Sequence, residues 1–106
     1  MGKPEVGICT GKDCRRAGGF RTVERQVSGS CDVLELKCLE VCDGVVVVLE
    51  PRSKNPVVLE RIRNRALAIE IVEHVVDGEP LTGRLRKRRL SGAKRNTARR
   101  RLARSL

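Results

Sequence analysis

Short apolar stretches separated by polar turns run through residues 1–80 and predict alternating strands and helices. Glu5–Cys9 and Cys31–Lys37 are short strand candidates, and the second of them alternates between two faces. Val45–Glu50 is an almost continuous run of valines, which is typical of a strand covered on both faces. Pro56–Ile62 follows a polar turn and predicts a fourth strand, paired with the third as a hairpin.

Helical periodicity marks two further segments. The apolar residues of the first helix recur at helical spacing: Phe20, Val23 and Val27. The second helix is longer, with Asn64 as its N-cap and Gly78 at the position of a C-terminal glycine. Its expected apolar stripe consists of Leu67 or Ala68, Ile71, Val72, Val75 and Val76. Four short strands with two helices predict a small layered α/β domain.

Charge divides the chain into two parts. Residues 1–80 hold 12 Lys and Arg against 13 Asp and Glu, whereas residues 81–106 hold 11 Lys and Arg and no acid. Because like charges at this density repel one another, we expect residues 84–106 to form a disordered basic tail beyond a domain of residues 1–83. The end of the tail is a conditional helix, with three apolar residues at a spacing of four: Ala98, Leu102 and Leu106.

The composition favours an intracellular protein. The chain has no run of about 18 apolar residues, so we expect no membrane span. Its start lacks the apolar segment of a secretory signal, so we expect a soluble, cytoplasmic location. In a reducing compartment, five cysteines favour metal binding or redox chemistry over a disulfide framework.

Four of the cysteines form two close pairs. Four residues separate Cys9 from Cys14, three separate Cys38 from Cys42, and each pair follows a predicted strand. Two loops that each deliver two thiolates suit a cluster of two irons, and four thiolates also suit a tetrahedral zinc site. The C-x-x-C spacing of disulfide oxidoreductases is absent. Reduced thiols without a function are the remaining alternative.

The fifth cysteine and the single histidine are expected to be structural. Cys31 lies within a strand pattern, seven residues before Cys38, and we expect a small buried side chain there. It could act as a substitute ligand if Cys38 were mutated. His74 lies in the middle of the longer helix, far along the chain from both cysteine pairs. A Rieske centre needs two histidines, so we expect an exposed or half-exposed helical residue there.

Three stretches are together similar to a known family: VGICTGKDCRRAGG (6–19), CLEVCDGVVVVLEP (38–51) and IVEHVVDGEPL (71–81). They resemble the thioredoxin-like 2Fe-2S ferredoxins, whose relatives include a subunit of NADH dehydrogenases and of some hydrogenases. The resemblance covers residues 5–83 and implies an α/β fold with a thioredoxin-like small mixed sheet of about four strands and two main helices. The segment between the two cysteine pairs is short for the family, and Val45 stands where the family usually has proline.

The resemblance also implies a cofactor and a function. The family's cluster ligands correspond to Cys9, Cys14, Cys38 and Cys42, which would hold a 2Fe-2S cluster. The protein would then be a one-electron carrier between a reductase or dehydrogenase and an acceptor enzyme, and not itself an enzyme. The family further suggests a homodimer or a place in a larger complex.

Cations beside the candidate site and in the tail allow further roles. Lys12, Arg15 and Arg16 flank the first cysteine pair, where they are either solvated or raise a reduction potential. Residues 84–106 suit an acidic redox partner, the phosphates of nucleic acid or the ribosome, or an anionic membrane surface. The alternative function is therefore a zinc- or cluster-stabilised binding module that uses its cationic tail.

Overall fold

The structure is a computed structural model that describes residues 3–16, 18–40 and 44–106. Its elements in chain order are β1 (Glu5–Cys9), α1 (Lys12–Arg16), α2 (Phe20–Ser28), β2 (Asp32–Leu36), β3 (Val47–Leu49), β4 (Val57–Leu59), α3 (Arg65–Asp77), α4 (Gly83–Arg86) and α5 (Gly92–Ser105). The expected α/β class is confirmed, because one open four-stranded mixed sheet carries these helices in an arrangement compatible with a small thioredoxin-like fold. Cys42 and the side chain of Lys12 lie outside the described residues.

The strand order is β2-β1-β3-β4. β1 runs parallel to β2, and α2 makes the crossover between them. β3 runs antiparallel to both β1 and β4, so the predicted hairpin of the third and fourth strands is confirmed. Beyond β4, the Leu90 N–H donates to the Val58 carbonyl at 2.9 Å, and the Glu60 N–H donates to the Arg88 carbonyl at 2.9 Å. These bonds cover the β4 edge of the sheet and leave β2 as the outermost strand on the other side.

One face of the sheet packs against α2 and α3. Alternate residues of β1 and of the valine run point to this face and are buried there: Val6, Ile8, Val45, Val47 and Leu49. The helices contribute buried side chains to the same core: Val23, Val27, Leu67, Ala68 and Ile71. The intervening Val46 and Val48 are buried on the second face. The prediction that the valine strand is covered on both sides is therefore confirmed.

Both predicted ends of α3 are confirmed. The Asn64 side chain accepts a hydrogen bond from the Leu67 N–H at 2.9 Å, which satisfies one of the free N–H groups of the first turn. Gly78 ends the helix with a φ of 75°, in the left-handed region that glycine adopts at least cost. The expected apolar stripe is wrong at Val76, which is 46% exposed because it lies on the solvent side of the helix.

The basic C-terminal segment is folded, contrary to the expectation of a disordered tail. α4 buries Leu85 against the α2–α3 side of the sheet, while Leu90 and two residues of α5, Ala98 and Leu102, are buried on the second face. Leu106 is 48% exposed, so it does not extend this apolar contact. The second face supplies the apolar surface that a short helix lacks when it is isolated in water.

Among the residues described, no helix combines the length and apolar character that crossing a membrane requires.

The contact between α5 and the sheet predicts unequal effects for two leucines of the C-terminal segment. We expect Leu102→Ala to lower the free energy of unfolding by about 2–4 kcal/mol, because it removes a buried side chain and leaves a cavity. Leu106→Ala, the matched control, should change it by less than about 0.5 kcal/mol. Urea unfolding of the reduced protein, followed by circular dichroism, measures both. Equal effects would contradict the packing of α5 on the sheet.

Candidate functional site

The two cysteine loops leave the sheet at the same end. β1 ends at Cys9 and β2 ends at Leu36, and the parallel register places these two residues side by side. Cys38 follows two residues after the end of β2, and Cys14 lies in α1, directly after β1. The expectation that both cysteine pairs follow strand ends is therefore confirmed for the three that are described.

Thr10 joins the start of one loop to the start of the other. Its N–H donates to the Leu36 carbonyl at 2.8 Å, and its hydroxyl donates to the same oxygen at 2.7 Å. A carbonyl oxygen has two lone pairs, so this acceptor is fully used. The Cys9 N–H donates to the Val46 carbonyl at 3.0 Å. This bond connects the end of β1 to the residue that directly precedes β3, after the second loop.

Gly11 brings the first loop against Cys38. A β-carbon added at Gly11 would lie 2.9 Å from Cys38 Cβ and 3.0 Å from Cys38 Sγ, closer than real β-carbons approach other atoms. Only a residue without a side chain fits at this separation. The two loops are therefore in direct contact, with Cys38 at the point where they meet.

Cys9 and Cys14 are buried on the second face of the sheet, in a cluster that includes Leu36 and Leu39. The Cys9 thiol lies 3.8 Å from the Lys37 carbonyl, at the range of a weak S–H···O bond. Among the described residues, both cysteines are shielded from water by buried apolar side chains. Such a shell controls the access of solvent to a bound group and the local dielectric.

Cys38 is exposed, and its sulfur accepts a hydrogen bond from the main chain. The Glu40 N–H points at Cys38 Sγ over an N···S distance of 3.4 Å. Glu40 has a φ of 59°, a left-handed conformation that costs a non-glycine residue on the order of 1 kcal/mol. A donor of this kind stabilises negative charge on sulfur, as a thiolate ligand requires.

Helix α5 contributes two contacts to the second loop that the sequence did not indicate. Arg101 Nη2 lies 2.6 Å from Glu40 Oε1 in an ion pair. One turn later, the Ser105 hydroxyl accepts a hydrogen bond from the Lys37 N–H at 3.3 Å. The spacing of Ala98 and Leu102 predicted a conditional helix, but no pattern in the sequence pairs a C-terminal arginine with a residue more than 60 positions earlier.

Cys31 lies at the other end of the sheet and on its other face. It precedes β2, whose first residue pairs with Glu5, and it belongs to the core beneath α2. At about 3.3 Å per residue, the five-residue strand β2 separates it from the cysteine end by about 16 Å. Burial raises the pKa of the Cys31 thiol, Asp32 raises it further and Lys3 opposes them. The predicted burial of Cys31 is confirmed, and this distance argues against a role as substitute ligand.

His74 is also remote from the cysteine end. It is half-buried on α3, and its Nδ1 forms a hydrogen bond with the Glu79 carbonyl. It lines a cavity together with Pro4 and Glu5, which lie where β1 begins, opposite the end that carries Cys9. Its expected role as a half-exposed helical residue is confirmed.

The described residues contain part of the expected ligand set. Cys9, Cys14 and Cys38 lie at one end of the sheet, while Cys42 falls between the described ranges. Within residues 3–16, 18–40 and 44–106, no group of three or more Cys, His, Asp or Glu side chains is arranged to hold a metal ion. The cysteine side chains, the amide directed at Cys38 Sγ and the buried apolar neighbours are of the kind that would hold a cluster bound by sulfur.

Comparisons with known proteins return no match: no family model, no curated protein and no solved structure is similar to this chain at the significance required.

The close approach at Gly11 predicts a difference between two glycines of the first loop. Gly11→Ala should lower the free energy of unfolding by about 1–3 kcal/mol, because the new methyl group overlaps Cys38. Gly18→Ala is the control, since a β-carbon there meets no atom within 4 Å, and we expect a change of less than about 1 kcal/mol. Denaturant unfolding of both reduced variants provides the comparison. If Gly11→Ala were as stable as the parent, the two loops would not be in contact.

Proposed function

We propose that the protein is a one-electron carrier that holds a 2Fe-2S cluster on Cys9, Cys14, Cys38 and Cys42. The observation that supports this most is the meeting of the two cysteine loops, through Thr10 and Gly11, at one end of the sheet. When bound, the cluster supplies the electron-accepting chemistry. We assign no residue as a catalytic acid, base or nucleophile and propose a carrier between a reductase or dehydrogenase and an acceptor enzyme.

The residues around the cysteines suit that role in three ways. The apolar surroundings of Cys9 and Cys14 keep water from two of the sulfurs. The Glu40 N–H donates to Cys38 Sγ, and hydrogen bonds to sulfur are among the features that set the potential of such centres. Exposed Cys38 marks the side on which a partner approaches closest to the sulfurs. We propose a cytoplasmic location with this role, because a reducing compartment keeps cysteines available to bind metal.

A second function is favoured by the folded basic segment. α4, α5 and the residues between them carry cations of which only some are paired: Arg84 with Glu70, Lys94 with Glu60 and Arg101 with Glu40. Exposed cations without an ion pair among the described residues, such as Arg100 and Arg104, can contact a polyanion, and four thiolates can also bind zinc. The second candidate is therefore a zinc- or cluster-stabilised module that binds nucleic acid, the ribosome or an acidic protein.

Metal analysis separates the electron carrier from a zinc-stabilised module. Protein purified without oxygen should be red-brown and contain about two irons and two acid-labile sulfides per chain, with an EPR signal after reduction. A colourless protein with one zinc per chain would contradict the electron carrier and support the binding module.

Substitution of single cysteines tests the ligand assignment. We expect serine at any of the four assigned cysteines to reduce the iron content or shift the visible spectrum, because the cluster loses a thiolate. Cys31→Ala is the matched control and should leave iron content and spectrum unchanged, since Cys31 lies at the opposite end of the sheet. Loss of the cluster in Cys31→Ala alone would overturn the assignment.

For the partner, we propose an acidic redox protein that docks on the basic side of the cysteine end. Arg100 and Arg104 are exposed on α5, close to the residues that contact the second cysteine loop, and Arg15 and Arg16 are exposed beside Cys14. Cations placed around an electron exit steer an acidic partner towards it. A second copy of the chain is the other candidate partner, through the outer edge of β2.

Charge reversal at two positions tests this surface. R100E/R104E should weaken binding to fluorescent poly-L-glutamate at low ionic strength by about tenfold or more. K3E/R25E is the control of equal charge change, because Lys3 and Arg25 are exposed towards the opposite end of the sheet, and it should retain most of the affinity. Fluorescence anisotropy with mixed-sequence duplex DNA as a second probe separates the functions. Much tighter binding of DNA would favour the nucleic-acid module.

A further inference from the structure

Helix α5 contacts residues on both sides of Cys38. On one side, Ser105 accepts a hydrogen bond from the Lys37 N–H at 3.3 Å. On the other, Arg101 forms its 2.6 Å ion pair with Glu40. The helix is itself held on the sheet by buried Ala98 and Leu102, so these two contacts arise from a fixed surface.

Glu40 needs support in the conformation that it adopts. Its φ of 59° lies in the region that favours glycine, yet the residue carries a long charged side chain. This conformation directs its N–H at Cys38 Sγ over 3.4 Å. The carboxylate extends instead to Arg101. The ion pair and the N–H···S bond therefore belong to one residue, and the first restrains the geometry of the second.

We propose that Arg101 is a positioning residue, which holds Glu40 so that its main-chain N–H remains on Cys38 Sγ. The basic C-terminal helix thereby controls the environment of a cysteine ligand without touching the sulfur. The ion pair is partly exposed on both sides, and such pairs contribute little to overall stability. The effect of this ion pair is instead on the orientation of the Glu40 N–H, which donates to Cys38 Sγ. This inference rests on the proposed function, because the sulfur is taken to be a cluster ligand.

An effect through charge and an effect through the position of the N–H make opposite predictions for the reduction potential of E40Q, and different ones for the double variant. If Arg101 and Glu40 act only through their charges, R101Q lowers the potential, E40Q raises it and the double variant returns it to the parental value. If Arg101 and Glu40 act by holding the Glu40 N–H in place, each variant loses the same hydrogen bond to Cys38 Sγ. R101Q, E40Q and R101Q/E40Q should then all lower the potential. The decrease in the double variant should be no larger than the larger of the two single-variant decreases.

Retention of the cluster provides the second readout. Loss of a supporting contact to a ligand weakens metal binding by about tenfold, so R101Q and E40Q should lose iron to a chelator about tenfold faster. R101K keeps a cation that reaches Glu40 and should recover part of the loss. R100Q is the matched control, because Arg100 neighbours Arg101 and contacts only the Thr97 hydroxyl among the described residues.

E40G separates the main chain from the carboxylate. Glycine adopts the positive φ without strain, so this variant relieves the conformational cost while it removes the ion pair. If the potential of E40G equals or exceeds that of the parent, the left-handed conformation alone keeps the N–H on the sulfur and Arg101 has no positioning role. A lowered potential in E40G supports the proposal.

The metal-free protein gives a readout that does not depend on the proposed function. We expect the Glu40 amide to lose protection against hydrogen exchange in R101Q and to keep it in R100Q, when each is followed by NMR. The Lys37 amide, whose acceptor is Ser105, should keep its protection in both variants. Unchanged exchange of the Glu40 amide in R101Q would overturn the positioning role whether or not iron binds. Failure of the parental protein to take up a cluster, with exchange altered as expected, would overturn the proposed function alone.

Discussion

The parallel register of β1 with β2 sets Cys9 beside Leu36, and the contacts between the two cysteine loops follow from it. Parallel strands end at the same edge of a sheet, so segments far apart along the chain leave it together. Thr10 then uses both of its donors on the Leu36 carbonyl, and Gly11 comes against Cys38. A shift of the register by one residue would exchange the faces of the sheet and separate these groups.

Burial of the second face decides the state of the basic segment. The 11 cations of residues 81–106 repel one another in an extended chain. Their helix forms because Ala98 and Leu102 cover apolar residues that include Val48, Val58 and Leu36. Long arginine and lysine side chains reach solvent or nearby carboxylates from the flanks of such a helix. The same packing brings Arg101 to the second cysteine loop, so electrostatics at the candidate site depend on a hydrophobic contact.

Local patterns predicted most of the fold. The strand candidates, the helix that begins at Phe20 and both ends of α3 correspond to observed elements, because strand periodicity and helix capping are properties of neighbouring residues. Val76 was misplaced, since a stripe read at helical spacing does not reveal how far the neighbouring core extends. For the site, two cysteine pairs and their strand-end positions could be predicted, and so could the burial of Cys31.

The sequence alone determined the four strands, the two main helices and the presence of two thiol pairs after strands, since each depends on a few adjacent side chains. Only the tertiary structure decided that Gly11 touches Cys38, that Cys31 lies at the opposite end, and that Arg101 reaches Glu40. The two contacts join residues that are 27 and 61 positions apart. Cys31 and Cys38, by contrast, are only seven positions apart along the chain but lie at opposite ends of the sheet. The pairing of the strands and the burial of both faces of the sheet fix such distances, and no local pattern encodes them.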